Sequence, residues 1–102
     1  MITEDFSLVK EIFSMLDVGI VDGYDAFRYE VEVGEGYMDT GLTVEKGGVE
    51  VTNARTDING AVLYGLVKRL KENAELRGEH WISFVMSYRQ GGQVKTNFKY
   101  KD

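Results

Sequence analysis

Residues 27–33, Phe27-Arg28-Tyr29-Glu30-Val31-Glu32-Val33, decide the fold. Apolar and charged residues alternate strictly here, and a strand turns successive side chains to opposite faces. Phe27, Tyr29, Val31 and Val33 therefore share one face, and Arg28, Glu30 and Glu32 share the other. The stretch predicts a half-buried strand with an acidic outer face. Gly34-Glu35-Gly36 turns the chain into a second strand over 37–45, weakened or bent at Gly41. Lys46-Gly47-Gly48 reads as a hairpin turn into a short third strand over 49–52.

On either side of this meander the period changes to that of a helix. Upstream, Thr3 is placed to cap a first helix, with Glu4 and Asp5 in its first turn, where carboxylates suit the helix dipole. Phe6, Val9, Phe13 and Leu16 recur at helical spacing with Ile12 beside them, and Gly19 is a stop. Downstream, Thr56 or Asp57 is expected to cap a second helix. Ile58, Val62, Leu66 and Leu70 form its stripe, widened by Leu63 and Val67. Gly60 and Gly65 each lower helix propensity by about 1 kcal/mol relative to alanine. They are expected to permit close approach to the sheet, and Gly78 ends the element.

Residues 81–89, the Gly91-Gly92 turn and residues 94–100 predict a closing hairpin. Ile82, Phe84, Met86 and Tyr88 alternate against Trp81, Ser83, Val85 and Ser87, which sets Trp81 on the face opposite Phe84. The expected fold class is α+β: an antiparallel sheet, element order α-β-β-β-α-β-β, with the two helices packed on one face. At 102 residues the chain is expected to form a single domain over 1–102.

Composition narrows the function classes. No cysteine is present, which excludes a disulfide scaffold and a thiolate metal site. The start, Met1-Ile2-Thr3-Glu4-Asp5, is acidic and lacks the basic, then apolar, pattern of a signal peptide. No apolar run approaches the roughly 18 residues that span a bilayer. A cytoplasmic protein without a membrane partner is expected. Charge is uneven: residues 1–50 hold twelve acids against three bases, and residues 51–102 hold five acids against nine bases. An acidic half suits a basic partner.

Candidate chemistry is sparse. The solitary His80 supplies neither a multi-histidine metal site nor, without a positioned partner, a general base. Glu30 and Glu32 share a strand face, a pattern that fits a solvated face or a partner contact better than catalysis. The glycine pairs do not lead from a strand into a helix N-terminus, so turns explain them better than phosphate loops. Lys95, Lys99 and Lys101 lie on the face opposite Phe98 and Tyr100. In an acidic chain they read as solvated edge lysines rather than a nucleic-acid site. The expectation is no catalytic set, no metal, no cofactor and no nucleic-acid partner: a protein that is not an enzyme.

The closing segment carries a likeness. His80-Trp81-Ile82-Ser83-Phe84, the Gly91-Gly92 turn and Phe98-Lys99-Tyr100-Lys101-Asp102 resemble the end of YezG-like immunity proteins. Those proteins belong to bacterial polymorphic-toxin and contact-dependent growth-inhibition systems. Their chains finish with a tryptophan-led strand, a glycine turn and an aromatic-x-Tyr-x-Asp ending, and the order of elements is similar too. Lys99 and Lys101 stand where acids are usual, and no tryptophan marks the first strand region. The resemblance implies a non-enzymatic antitoxin that binds the C-terminal domain of a cognate toxin, often a nuclease, and keeps it from its substrate.

A nuclease cleft attracts a polyanion, so an acidic inhibitor suits it. On that reading Glu30, Glu32, Glu35 and Asp39 make the electrostatic contact. Asp22, Tyr24 and Asp25 extend it, and Tyr24 and Tyr37 are the anchoring aromatics. Two other classes fit the same composition: a small ligand-binding or sensor domain whose pocket the aromatics line, and a structural subunit of a larger assembly.

Overall fold

The computed structural model describes residues 3–101. Its elements are α1 (Thr3–Gly19), β1 (Ala26–Gly34), β2 (Tyr37–Lys46), β3 (Val49–Val51), α2 (Gly60–Leu76), β4 (Trp81–Arg89) and β5 (Lys95–Tyr100). The fold is α+β, and the element order and antiparallel pairing are those the periodicities predict. The chain divides into two compact units, Met1–Val21 with Thr56–His80 and Asp22–Arg55 with Trp81–Asp102. The capping role expected of the Thr3 side chain, and Asp102 at the end of the closing motif, lie outside the described side chains.

The first unit is a helix pair. Glu4 near the start of α1 meets Arg69 at 2.6 Å, and Asp5 meets Arg77, which follows the end of α2, at 2.5 Å. At the other end of α1, the Asp57 N–H donates to the Gly19 carbonyl at 2.7 Å. The two helices therefore run antiparallel. The buried stripe of α1 is Leu8, Ile12 and Leu16, with Asp5 in the same row; Phe6 is exposed. This corrects the expected stripe by shifting its start. Asp5 is tolerated inside because the Arg77 guanidinium bonds it through both Nη atoms.

Helix α2 starts later than the sequence predicts. Thr56 bridges Ile20, and a Cβ built on Gly19 would lie 2.3 Å from Ile58 Cγ1. Residues 56–58 thus tie down the end of α1 and are not free to begin a helix. Asn59 is the cap instead: its Oδ1 accepts from the Val62 N–H at 3.2 Å. The phase moves accordingly. Leu63, Val67, Leu70 and Ala74 are buried, while Val62 is exposed. A Cβ built on Gly60 or Gly65 would meet open space, so no local packing there requires glycine. Gly78, at φ +77°, follows the helix as expected. The ion pairs at the helix ends hold Glu4, Glu75 and Glu79 below the ordinary carboxylate range, mainly through bonds from Arg69, Lys71 and Arg77 respectively.

The second unit is a five-stranded sheet in the order β3-β2-β1-β4-β5. β1 is central, and its burial alternates as its sequence predicts: Phe27, Tyr29 and Val31 are buried, and Arg28, Glu30 and Glu32 are exposed. β2 runs without a break through Gly41 to Lys46. The inner face is aromatic. Trp81 lies 5.4 Å from Phe84 and 5.5 Å from Phe98, ring centre to ring centre, and Phe84 lies 5.3 Å from Phe98. Trp81 was expected on the opposite face. A register shift between Trp81 and Ser83 inserts one residue and reverses the phase, so Trp81 joins Phe84 and is buried.

Candidate functional site

The exposed face of the sheet carries the charges. Registers across the strands align its residues in rows. One row is Asp39 on β2, Glu32 on β1, Ser83 on β4 and Lys99 on β5. The next holds Gly41, Glu30, Val85 and Asn97, and a third holds Thr43, Arg28, Ser87 and Lys95. Acids therefore gather over β1 and β2 and lysines over β5. Glu32 and Lys99 stand two strands apart, about 10 Å at ordinary strand spacing. That is close to the Debye length at physiological salt, so each patch keeps its own sign.

Within the acidic half two kinds of carboxylate exist. Glu30, Glu45 and Glu50 each have a cationic partner, two guanidiniums serving the three. Arg28 Nε donates to Glu30 at 2.7 Å, and the same guanidinium reaches Glu50 at 3.9 Å; Arg89 meets Glu45 at 2.8 Å. The carboxylates of Glu32, Glu35 and Asp39 have no hydrogen bond or ion pair among the described residues. Glu32 and Asp39 are direct cross-strand partners. The turn Glu35-Gly36 has two residues, so Gly34 and Tyr37 form a hydrogen-bonded pair, and so does every second pair up the ladder, Glu32 with Asp39 included. Like charges directly opposite destabilise a sheet. Tyr37 stands at the same end, half exposed, with its ring over the turn. A Cβ on Gly34 would fall 1.9 Å from the Tyr37 Cε1 atom.

The eight expected contact residues do not form one patch. Glu32, Glu35, Tyr37 and Asp39 come together at the Gly34 end of β1. Asp22, Tyr24 and Asp25 precede its Ala26 end, roughly 27 Å away along the nine-residue strand. Their roles there are internal. The Asp25 carboxylate accepts from the Gly47 N–H at 2.7 Å, which pins the β2–β3 turn. Asp22 pairs with Arg55 at 3.6 Å, and its carbonyl accepts from Lys46. Tyr24 is a correction: only 8% of it is exposed, and its ring packs edge-on against Phe27 at 5.1 Å and Tyr88 at 6.2 Å. A side chain buried this way supports the loop and does not anchor a partner. No family model matches this chain, and no curated protein does.

Arg28, Arg89 and Lys95 form a second feature, of which only Arg89 carries no signal in the sequence pattern. They line a concavity of about 380 Å³ at the Ala26 end of the outer face, together with Glu45 and Glu50. Both guanidiniums there are committed to carboxylates, which leaves Lys95 as its one uncompensated cation among the described residues. The spacing of Arg28 and Glu30, two apart on one strand face, carried a signal for the first of these pairs. Elsewhere, His80 bonds Glu75 on the exposed end of the helix pair. Among the described residues no group of three or more His, Cys, Asp or Glu is placed to hold a metal ion. Among the described residues no helix is long and apolar enough to cross a membrane.

Proposed function

We propose that this chain is an immunity protein, which binds the basic C-terminal domain of a cognate bacterial toxin in the cytoplasm and neutralises it by stoichiometric docking. The observation that carries this reading is the uncompensated set Glu32, Glu35 and Asp39 on an exposed sheet face. Arg28 and Arg89 relieve the neighbouring acids, yet among the described residues no base relieves these three. A sheet that keeps an opposed Glu–Asp pair bears a stability cost that a cationic partner removes. Tyr37, exposed beside them, supplies an aromatic contact of the kind enriched at interface hot spots. A partner approaching this end is attracted by β1 and β2 and repelled by the lysines of β5, which fixes its orientation as well as its rate.

The resemblance of the closing hairpin to YezG-like immunity proteins supplies the partner class, and a nuclease toxin meets the charge requirement because its cleft must attract phosphate. The test is whether a large secreted protein with a basic C-terminal domain is encoded beside this chain, and whether that domain associates with it. Reversing Glu32, Glu35 and Asp39 together to lysine is expected to slow association about tenfold or more at low salt and to abolish protection of cells that express the toxin. Reversing Glu30, which Arg28 already neutralises, is expected to have the smaller effect. Equal effects at Glu30 and Glu32 count against the reading.

A further inference from the structure

The register of β2 leaves part of its main chain without a partner. Gly34 and Tyr37 flank one two-residue turn and Lys46 and Val49 flank the other, so both are hydrogen-bonded pairs. From those fixed points the main chain of Tyr37, Asp39, Gly41, Thr43 and Glu45 faces β1. The Asp25 N–H donating to the Glu45 carbonyl at 2.8 Å agrees with that parity. Met38, Thr40, Leu42, Val44 and Lys46 face the other way. β3 is three residues long and pairs only with Val44–Lys46. The N–H and C=O groups of Met38, Thr40 and Leu42 are left pointing outward, and they have no partner among the described residues.

Open edges are normally guarded by lysine, proline, a bulge or shortness. β5, the opposite edge, has Lys95 and Lys99, both exposed, and β3 is short. Apart from the charge of Asp39, which a basic strand would neutralise, the 37–43 edge has none of these guards. It has no lysine, the chain has no proline, and the pairing of β2 with β1 is unbroken. We infer that the open edge of β2 at Met38, Thr40 and Leu42 takes a sixth strand from the partner protein, an extended segment whose outer-face residues are basic. The added strand would sit beside Asp39, with Glu32 behind it, so lysine or arginine on its outer face meets two uncompensated carboxylates. Its alternate residues, beside Met38, Thr40 and Leu42, are apolar. A second copy of this chain does not meet the requirement, because its β2 would set one Asp39 row against another. The inference rests on the docking reading above and adds how the partner is held.

The test uses the full-length protein and a heptapeptide of alternating lysine and valine, blocked at both ends. Amide hydrogen exchange is followed residue by residue. At a peptide concentration ten times its Kd, exchange at Met38, Thr40 and Leu42 is expected to slow about tenfold. Two further peptides, N-methylated at every valine or at every lysine, separate pairing from charge attraction, since a paired strand uses only alternate N–H groups. One of the two should lose binding and the other keep it. Thr40→Pro, which removes an outward N–H at a position where edge strands tolerate proline, should abolish the protection; Thr40→Lys gives the same reading if the proline variant does not fold. Unchanged exchange at the three amides, or equal behaviour of the two methylated peptides, overturns the inference. If that happens while the toxin domain still associates in a salt-dependent way, the docking reading stands and the strand addition alone fails. If the peptide protects the edge but no toxin domain binds, the failure lies with the immunity reading.

Discussion

Replacing Asp39 by lysine should make the protein more stable while making it a poorer binder. Asp39 and Glu32 oppose each other on an exposed face, with Cα atoms about 5.5 Å apart for a hydrogen-bonded pair. Their carboxylates lie in water at a separation of roughly 6 Å, where two unit charges repel by about 0.7 kcal/mol at the dielectric constant of water. Screening reduces this to about 0.6 kcal/mol at 0.01 M salt and about 0.1 kcal/mol at 1 M. Asp39→Asn removes that repulsion, and Asp39→Lys turns it into an attraction of similar size. The lysine variant should therefore gain about 1 kcal/mol at 0.01 M salt and a few tenths at most at 1 M. With a urea slope of about 1 kcal/mol/M, the low-salt midpoint rises by about 1 M. Both side chains have low strand propensity, so the salt-dependent part of the gain isolates the charge term. Urea titrations of the wild type and both variants at the two salt concentrations measure it. A destabilised Asp39→Lys variant, or a gain that ignores salt, refutes the argument that this pair is kept at the expense of stability.

Other outcomes follow from the packing. Trp81→Ala should cost about 3–5 kcal/mol in chemical denaturation, because the indole is buried against Phe84 and Phe98; a loss under about 1 kcal/mol would mean that Trp81 lies on the open face after all. Two glycines should respond with opposite signs. Gly65→Ala should stabilise α2 by up to about 1 kcal/mol, since its Cβ meets open space, whereas Gly19→Ala should destabilise by about 1–3 kcal/mol, since its Cβ meets Ile58. Burial pushes the Tyr29 hydroxyl from 10.0 up to about 12. The unfolded chain then releases this proton at lower pH than the folded one, so stability falls as pH rises from 10 towards 12, by about 2–3 kcal/mol in all. Tyr29→Phe should flatten that stretch of the alkaline stability profile, and an unchanged slope would assign the loss to other groups.

Much of the fold was legible because local pattern and tertiary burial agree in the strands. The alternation of 27–33 and the glycine turns at 35–36 and 47–48 are each imposed by one sheet face and one turn geometry. The helices were less legible, for particular reasons. Phase assigned from apolar residues alone puts Phe6 inside and Asp5 outside, yet the reverse holds because Arg77, seventy-two residues on, neutralises Asp5. The start of α2 was displaced by the tie between residues 56–58 and the end of α1. Trp81 was misplaced because a bulge adds one residue to a strand without marking the sequence. The central position of β1, set by pairing with β4 across an intervening helix, has no local signature either. At the candidate site the acids of β1 and β2 were visible as composition. Their division into relieved and unrelieved carboxylates was not, because it depends on where Arg28 and Arg89 point. Tyr24 failed as an anchor because an aromatic beside two aspartates reads the same whether it faces solvent or the core.

The central claim is that the uncompensated carboxylates at the Gly34 end of the sheet receive a cationic protein. Stopped-flow association with the basic C-terminal toxin domain, run from low to high salt, tests it most directly. The account expects a one-to-one complex whose association rate falls steeply with salt, and a rate for the Glu32→Lys, Glu35→Lys, Asp39→Lys protein that is low and nearly flat. A complex that forms at the same rate with the reversed face, or no complex with the wild-type chain, contradicts it.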